Sequence, residues 1–226
     1  VDQPEGGIGT FSPNLLNINM AYAKAFSNSI YGGLNVKIIS ESIADISAQG
    51  IALDAGIQYV TGVAENIKFG ITLKNIGPTM RFSGDGLSFR GFIPGQSSQF
   101  TVEQRSEDFE LPSALAIGVA YDFLFDQESR LTLAGNFQSN SFTKDQFMLG
   151  AEYSFREVLL LRAGYTYEDG LLDEAERTNV YTGPSAGITV QVPMNKEAGS
   201  VFSVDYSYRT TSPFDGTHNI GVRVSF

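Results

Sequence analysis

The side chains able to do bond chemistry are few. The 226-residue chain has one histidine, His218, and no cysteine. Without thiols there is no disulfide framework, thiolate metal site or cysteine nucleophile. A serine–histidine–aspartate triad would need His218 in a cleft where a serine and a carboxylate converge on it. Its parity with Ile220 and Phe226 instead puts it on the apolar side of an alternating segment. The expectation is a protein that is not an enzyme and uses no cofactor and no metal. What remains is charge. Lys37, Asp54, Lys68, Arg130, Glu152, Arg162, Asp205 and Arg223, with Lys74, Asp122, Glu168 and Arg209, share the polar side of such segments. Because the two signs are mixed, these groups either pair across a confined interior or line a pore that selects by charge. Asp173, Glu174 and Glu176 offer oxygen ligands, but their spacing matches no calcium loop.

The elements that must hold these charges are strands. Ile220, Val222, Val224 and Phe226 alternate with Asn219, Gly221, Arg223 and Ser225. The same period of two runs through Phe202–Tyr208, Phe147–Phe155, Leu131–Phe137, Ile67–Leu73 and Ile51–Tyr59. It predicts eleven strands, at about 17–24, 29–41, 50–60, 65–77, 113–124, 129–138, 144–155, 158–168, 184–193, 200–209 and 217–226. Their length exceeds the ~5–6 residues usual in soluble sandwiches and suits the ~9–11 residues of a strand that crosses a bilayer. The longest apolar run, Ala114–Tyr121, is too short for a spanning helix. Closed barrels are the other structures that satisfy every backbone group in lipid. The fold expected is therefore all-β, an antiparallel transmembrane β-barrel in one domain spanning 1–226. Tyr22, Tyr59, Tyr121, Tyr153, Tyr165, Tyr167, Tyr206 and Tyr208 fall near strand ends on the apolar side, where a ring with a wet hydroxyl prefers the interface.

Composition narrows the partners. With 15 Lys+Arg against 25 Asp+Glu the formal charge is −10, which argues against nucleic acid. Outer-membrane lipid is the expected surroundings, with lipid or detergent a possible occupant of the lumen. Short connections at 25–28, 61–64, 125–128, 156–157 and 194–199 alternate with others at 42–49, 78–112, 139–143, 169–183 and 210–216, most of them longer. Outer-membrane barrels alternate in this way, with tight periplasmic turns and longer extracellular loops. This parity makes the C-terminus periplasmic and expects an odd number of further strands upstream. Val1 and the acidic, glycine-rich start after it read as a chain processed upstream, with no signal peptide. The 78–112 connection is the long extracellular loop or lid. Its Phe82, Phe89, Phe92, Ile93, Phe100, Phe109 and Leu111 are too apolar for a disordered tether and are the candidate surface for a protein partner. Leu171 and Leu172 in the 169–183 connection fall on the same outer side by this parity and extend the candidate surface.

The closing segment, with Gly221 inside it and Phe226 at its end, resembles the C-terminal signature that the barrel-assembly machinery reads in outer-membrane proteins. Further stretches resemble the PorV/PorQ family, FadL-like barrels associated with type IX secretion. They are Asn19–Lys24, Gly33–Ser42, Gly50–Tyr59, Leu161–Tyr165 and Val204–Tyr208. That resemblance implies a barrel of fourteen strands, of which eleven are visible here. It also implies an outer-membrane protein that binds secreted cargo, through the cargo's C-terminal domain, or a large translocon barrel. FadL-like relatives instead pass hydrophobic small molecules, and a structural subunit of a larger outer-membrane complex is a third reading.

Overall fold

In the computed structural model, residues 11–92, 98–173, 175–195 and 200–225 are described. The period-two segments form strands: β1 (Asn14–Ala25), β2 (Ile30–Ile43), β3 (Ile46–Thr61), β4 (Ile67–Ile76), β5 (Ser88–Phe92), β6 (Gln99–Glu103), β7 (Ala114–Leu124), β8 (Ser129–Asn140), β9 (Gln146–Phe155), β10 (Leu159–Glu168), β11 (Tyr181–Asn195), β12 (Ser200–Thr211) and β13 (Thr217–Ser225). Eleven of them make one sheet in chain order, β1-β2-β3-β4-β7-β8-β9-β10-β11-β12-β13, and β5 and β6 form a separate two-stranded sheet. No helix among the described residues is long and apolar enough to cross a membrane.

Two differences from the expected strands stand out. The 42–49 connection is a two-residue turn, Ala44-Asp45, with Ala44 at φ 49°. And the long connection carries its own hairpin, β5–β6, after one 3-10 turn at Asp85–Leu87.

Packing divides the chain into two units. The first takes in β1 to Ala23, Gly33–Ala55 and Leu73–Ser113. Its core is small: Ala48, Ala52 and Met80 are buried. The backbone bridge Ser47↔Ser83 seats the base of the long connection on the β2–β3 turn region, and Met80↔Phe109 ties the two ends of that connection together.

The second unit takes in Lys24–Gly32, Gly56–Thr72 and the chain from Ala114 on. Here β7 to β13 run as an antiparallel meander whose register aligns Asp122↔Thr132, Thr132↔Glu152, Glu152↔Arg162 and Arg162↔Gly187, with shifts only in the β11–β12 pairing at Tyr181/Ser185 and Pro193/Asn195 among the pairings described. Arg156 and Glu157, both near φ +54°, close the β9–β10 hairpin with the twist that two-residue turns need. In this meander the usual inside–outside rule is inverted. Most of the buried side chains of these strands are polar, Asp122, Ser154, Glu168, Thr189 and Ser203, with Leu160 the apolar exception among the described residues, whereas Leu149 is 69% exposed and Ile220 79%. A sheet in water hides its apolar face; this one hides its polar face and presents Leu133, Leu149, Tyr165, Ile188, Tyr206 and Val222 outward. That is the side-chain distribution of a membrane β-barrel wall.

Candidate functional site

On the polar face of the second unit, strand parity turns isolated charges into a connected row. Glu152 on β9 accepts from Arg162 on β10 at 2.6 Å and meets Arg130 on β8 at 3.5 Å. Arg162 also donates through Nη1 to the Thr189 hydroxyl at 2.6 Å, and Thr189 donates to Asp205 Oδ1 at 2.5 Å. Asp205 then pairs with Arg223 on β13 at 3.4 Å. Arg162 and Asp205 stand 4.0 Å apart, so the Thr189 hydroxyl closes a gap that direct contact spans poorly. Gly221 lies opposite Asp205, and a Cβ there would come within 3.7 Å of the Asp205 Cβ. At the other end, Asp122 accepts from Lys68 at 2.6 Å and from the Thr132 hydroxyl at 2.7 Å. The arrangement can neutralise charge in a confined space and present alternating sign along a wall. Among the described residues no group of three or more His, Asp or Glu converges to hold a metal; Glu174 lies outside them.

The first unit holds the remaining pair. Lys37 meets Asp54 at 2.7 Å and donates to Asn75 Oδ1 at 2.8 Å. Asp54 also accepts from Asn35 Nδ2 at 3.1 Å and from the Asn75 backbone at 2.8 Å. Asn75, at φ 58°, in turn donates to the Pro112 carbonyl at 2.7 Å. This pair therefore fixes both ends of the long connection. Nothing in its chemistry requires a ligand.

Within that connection the predicted contact residues separate into two sets. Phe82 and Phe109 stack at 5.4 Å and, with Leu111, are half-buried in the base. Phe89, Phe92 and Phe100 belong to the β5–β6 hairpin and are 53%, 66% and 38% exposed. Phe89 pairs with Val102 and Gly91 with Phe100, so Phe89, Phe100 and Val102 share one hairpin face while Phe92 lies on the other. Ile93 and Phe226 lie outside the described residues.

Three features escaped sequence reasoning. The Thr132 and Thr189 bridges required the register, since a threonine on a polar face is otherwise unremarkable. Glu168 is fully buried and accepts from Gln146 at 2.8 Å, Asn179 at 2.9 Å and the Thr178 hydroxyl, which draws the β10–β11 connection onto the sheet. Met80 is the plug of the loop base, and its contact with Gly50 has no signature in either segment. His218 is exposed on the apolar side, with Nδ1 2.8 Å from the Tyr206 hydroxyl.

A sheet with apolar side chains outward and paired charges on its other face defines a membrane protein built of strands. The chain matches the family model of the type IX secretion system membrane protein PorP/SprF over residues 6–224, and it belongs to that family. The secretion system is the one the sequence resemblance implied; the family within it is PorP/SprF, where that resemblance pointed to PorV/PorQ. Among curated proteins no sequence matches. Several solved structures are similar, among them two channels. One is the CymD monoaromatic hydrocarbon channel, 11% identical, with TM-score 0.48, covering 95% of this chain and 72% of that one. The other is an outer membrane channel from Pseudomonas putida F1, 10% identical, with TM-score 0.44, covering 95% of this chain and 85% of that one.

Proposed function

We propose that this chain is an outer-membrane β-barrel that works in type IX secretion by binding a protein of that system through the β5–β6 hairpin. It carries out no bond chemistry. The C-terminus faces the periplasm, and the hairpin stands on the extracellular side. The observation that carries the reading is the pairing of a fixed base with an exposed apolar tip. Met80, Phe82 and Phe109 are tied down, whereas Phe89, Phe92 and Phe100 stay open to solvent. Exposed aromatics on a rigid support are what a binding hot spot needs, because little side-chain entropy is left to lose. The partner is the C-terminal domain of secreted cargo or a large translocon barrel, in the manner of PorV/PorQ proteins. The paired charges on the polar face argue against a passage for hydrophobic small molecules, and a purely structural subunit would leave the hairpin without a role.

Gln104 N–H donates to the Leu87 carbonyl at 2.9 Å, so the two ends of the hairpin are adjacent. Replacing residues 88–103 by a short glycine–serine linker leaves the base seated. Pull-down from detergent with partner identification is expected to recover a secretion-system protein with the intact chain and to lose it with the linker variant. Equal recovery by both, or a lipid-like ligand and no protein with the intact chain, overturns the reading.

A further inference from the structure

On the polar face of the second unit, Lys68, Arg130, Arg162 and Arg223 each meet a carboxylate. Arg209 does not. Its guanidinium carbon sits 3.8 Å from the centroid of the Tyr181 ring, which fixes its plane, and among the described residues none accepts from its N–H groups. It stands opposite Ser185 and Thr217 in the register, and neither hydroxyl hydrogen-bonds to it. The Arg209 side chain borders a pocket of about 470 Å³ that is also lined by Met148, Thr166, Leu171 and Tyr181. Glu168 borders the same pocket, but it is fully buried and held by Gln146, Asn179 and Thr178, and it forms no ion pair with Arg209. The roof of the pocket is fixed in turn. Lys144 donates to the Asp169 and Glu176 carbonyls at 2.9 and 3.2 Å, and the Tyr181 N–H donates to Asn179 Oδ1 at 2.8 Å.

We infer that this pocket binds a monocarboxylate with an apolar body, its carboxylate taken by Arg209 and its body by Met148, Leu171 and Tyr181. A planar guanidinium matches a carboxylate in a two-point contact. One cation with no carboxylate partner among the described residues, beside one buried, satisfied carboxylate, suits a single negative charge and rejects a dianion. The site is independent of the hairpin, which belongs to the other unit.

The test uses the full chain in detergent micelles, titrated with phenylacetate by calorimetry and by saturation-transfer NMR. Phenylacetate is expected to bind saturably. Its uncharged analogue phenylacetamide is expected to bind about tenfold more weakly or worse, the loss that accompanies one charged hydrogen-bond pair. Inorganic phosphate does not displace phenylacetate. Arg209→Gln loses about the same factor, Thr166→Trp fills the pocket and abolishes binding, and Arg156→Gln in the β9–β10 turn binds as the parent does. Each variant is first checked for a folded barrel by heat-modifiable gel mobility. No saturable binding, equal binding of acid and amide, or wild-type affinity in folded Arg209→Gln overturns the assignment.

Discussion

Thr189 is a hydroxyl held between two charges. It accepts from Arg162 and donates to Asp205 while only 1% exposed itself, so its removal takes one partner from a guanidinium and a carboxylate that keep their ion pairs with Glu152 and Arg223. Thr189→Val keeps the shape and deletes the bridge. It is expected to destabilise the folded state by about 1–3 kcal/mol, the usual worth of hydrogen bonds to charged groups, read as a shifted midpoint in denaturant unfolding. Arg156→Gln breaks the 2.9 Å pair with Glu128 in a turn where both side chains are more than half exposed. There the shift is expected to be under about 1 kcal/mol, because solvent already screens the pair. If the two variants cost the same, the row of charges is a surface feature and not part of the wall. The charges themselves were legible in the sequence from parity alone. Their partners were not, because which threonine bridges which pair is decided by register, and register is a property of two strands.

At the scale of elements, alternation located the eleven long strands to within a few residues, since a half-buried strand must alternate wherever its two faces meet different media. It failed at 42–49 for a physical reason. Ala48 and Gly50 are small because the loop base packs against them: Ala48 is buried, and a Cβ on Gly50 would lie 2.6 Å from Met80 Cγ. Small residues that make room for packing read as a loop when their partner lies some thirty positions away. The β5–β6 hairpin escaped because two five-residue strands with a glycine in one carry too few alternations to register. Gly84 shows how tightly the base is seated. It has φ +137°, and a Cβ there would come within 2.2 Å of the Asp45 carbonyl oxygen, a backbone atom that cannot step aside. Gly84→Ala is therefore expected to unseat the base. Hydrogen exchange at the Ser47, Ser83, Met80 and Phe109 amides, all paired in the bridges, should speed up while the β7–β13 amides keep their protection. Unchanged exchange at those four amides would mean that the base is not held by this contact.

At the scale of the whole molecule the net charge of −10 and the exposed apolar residues belong to different surfaces. A chain with so little apolar core cannot draw its stability from hiding hydrocarbon from water within itself. Its large apolar side chains face outward, so the surrounding lipid supplies the burial that a soluble protein finds inside. This has a direct consequence for substitutions on the two sides of a single wall. Leu149 on β9 is outward and 69% exposed, whereas Asn136 on β8 is half-buried on the polar face, with Nδ2 3.7 Å from Met148 Sδ. Leu149→Arg places a cation in hydrocarbon and is expected to cost about 2–4 kcal/mol near the bilayer midplane. Asn136→Arg adds the same charge to the polar face, where water and neighbouring polar groups can meet it, and is expected to cost less. Urea unfolding from lipid vesicles measures both. The difference should shrink when the protein is held in thinner bilayers, because the outward position then lies nearer the headgroups and the arginine can reach water. Equal costs at every thickness would mean that the face carrying Leu149 is not the lipid face, and the inverted sheet would then need another protein, not a membrane, to cover it.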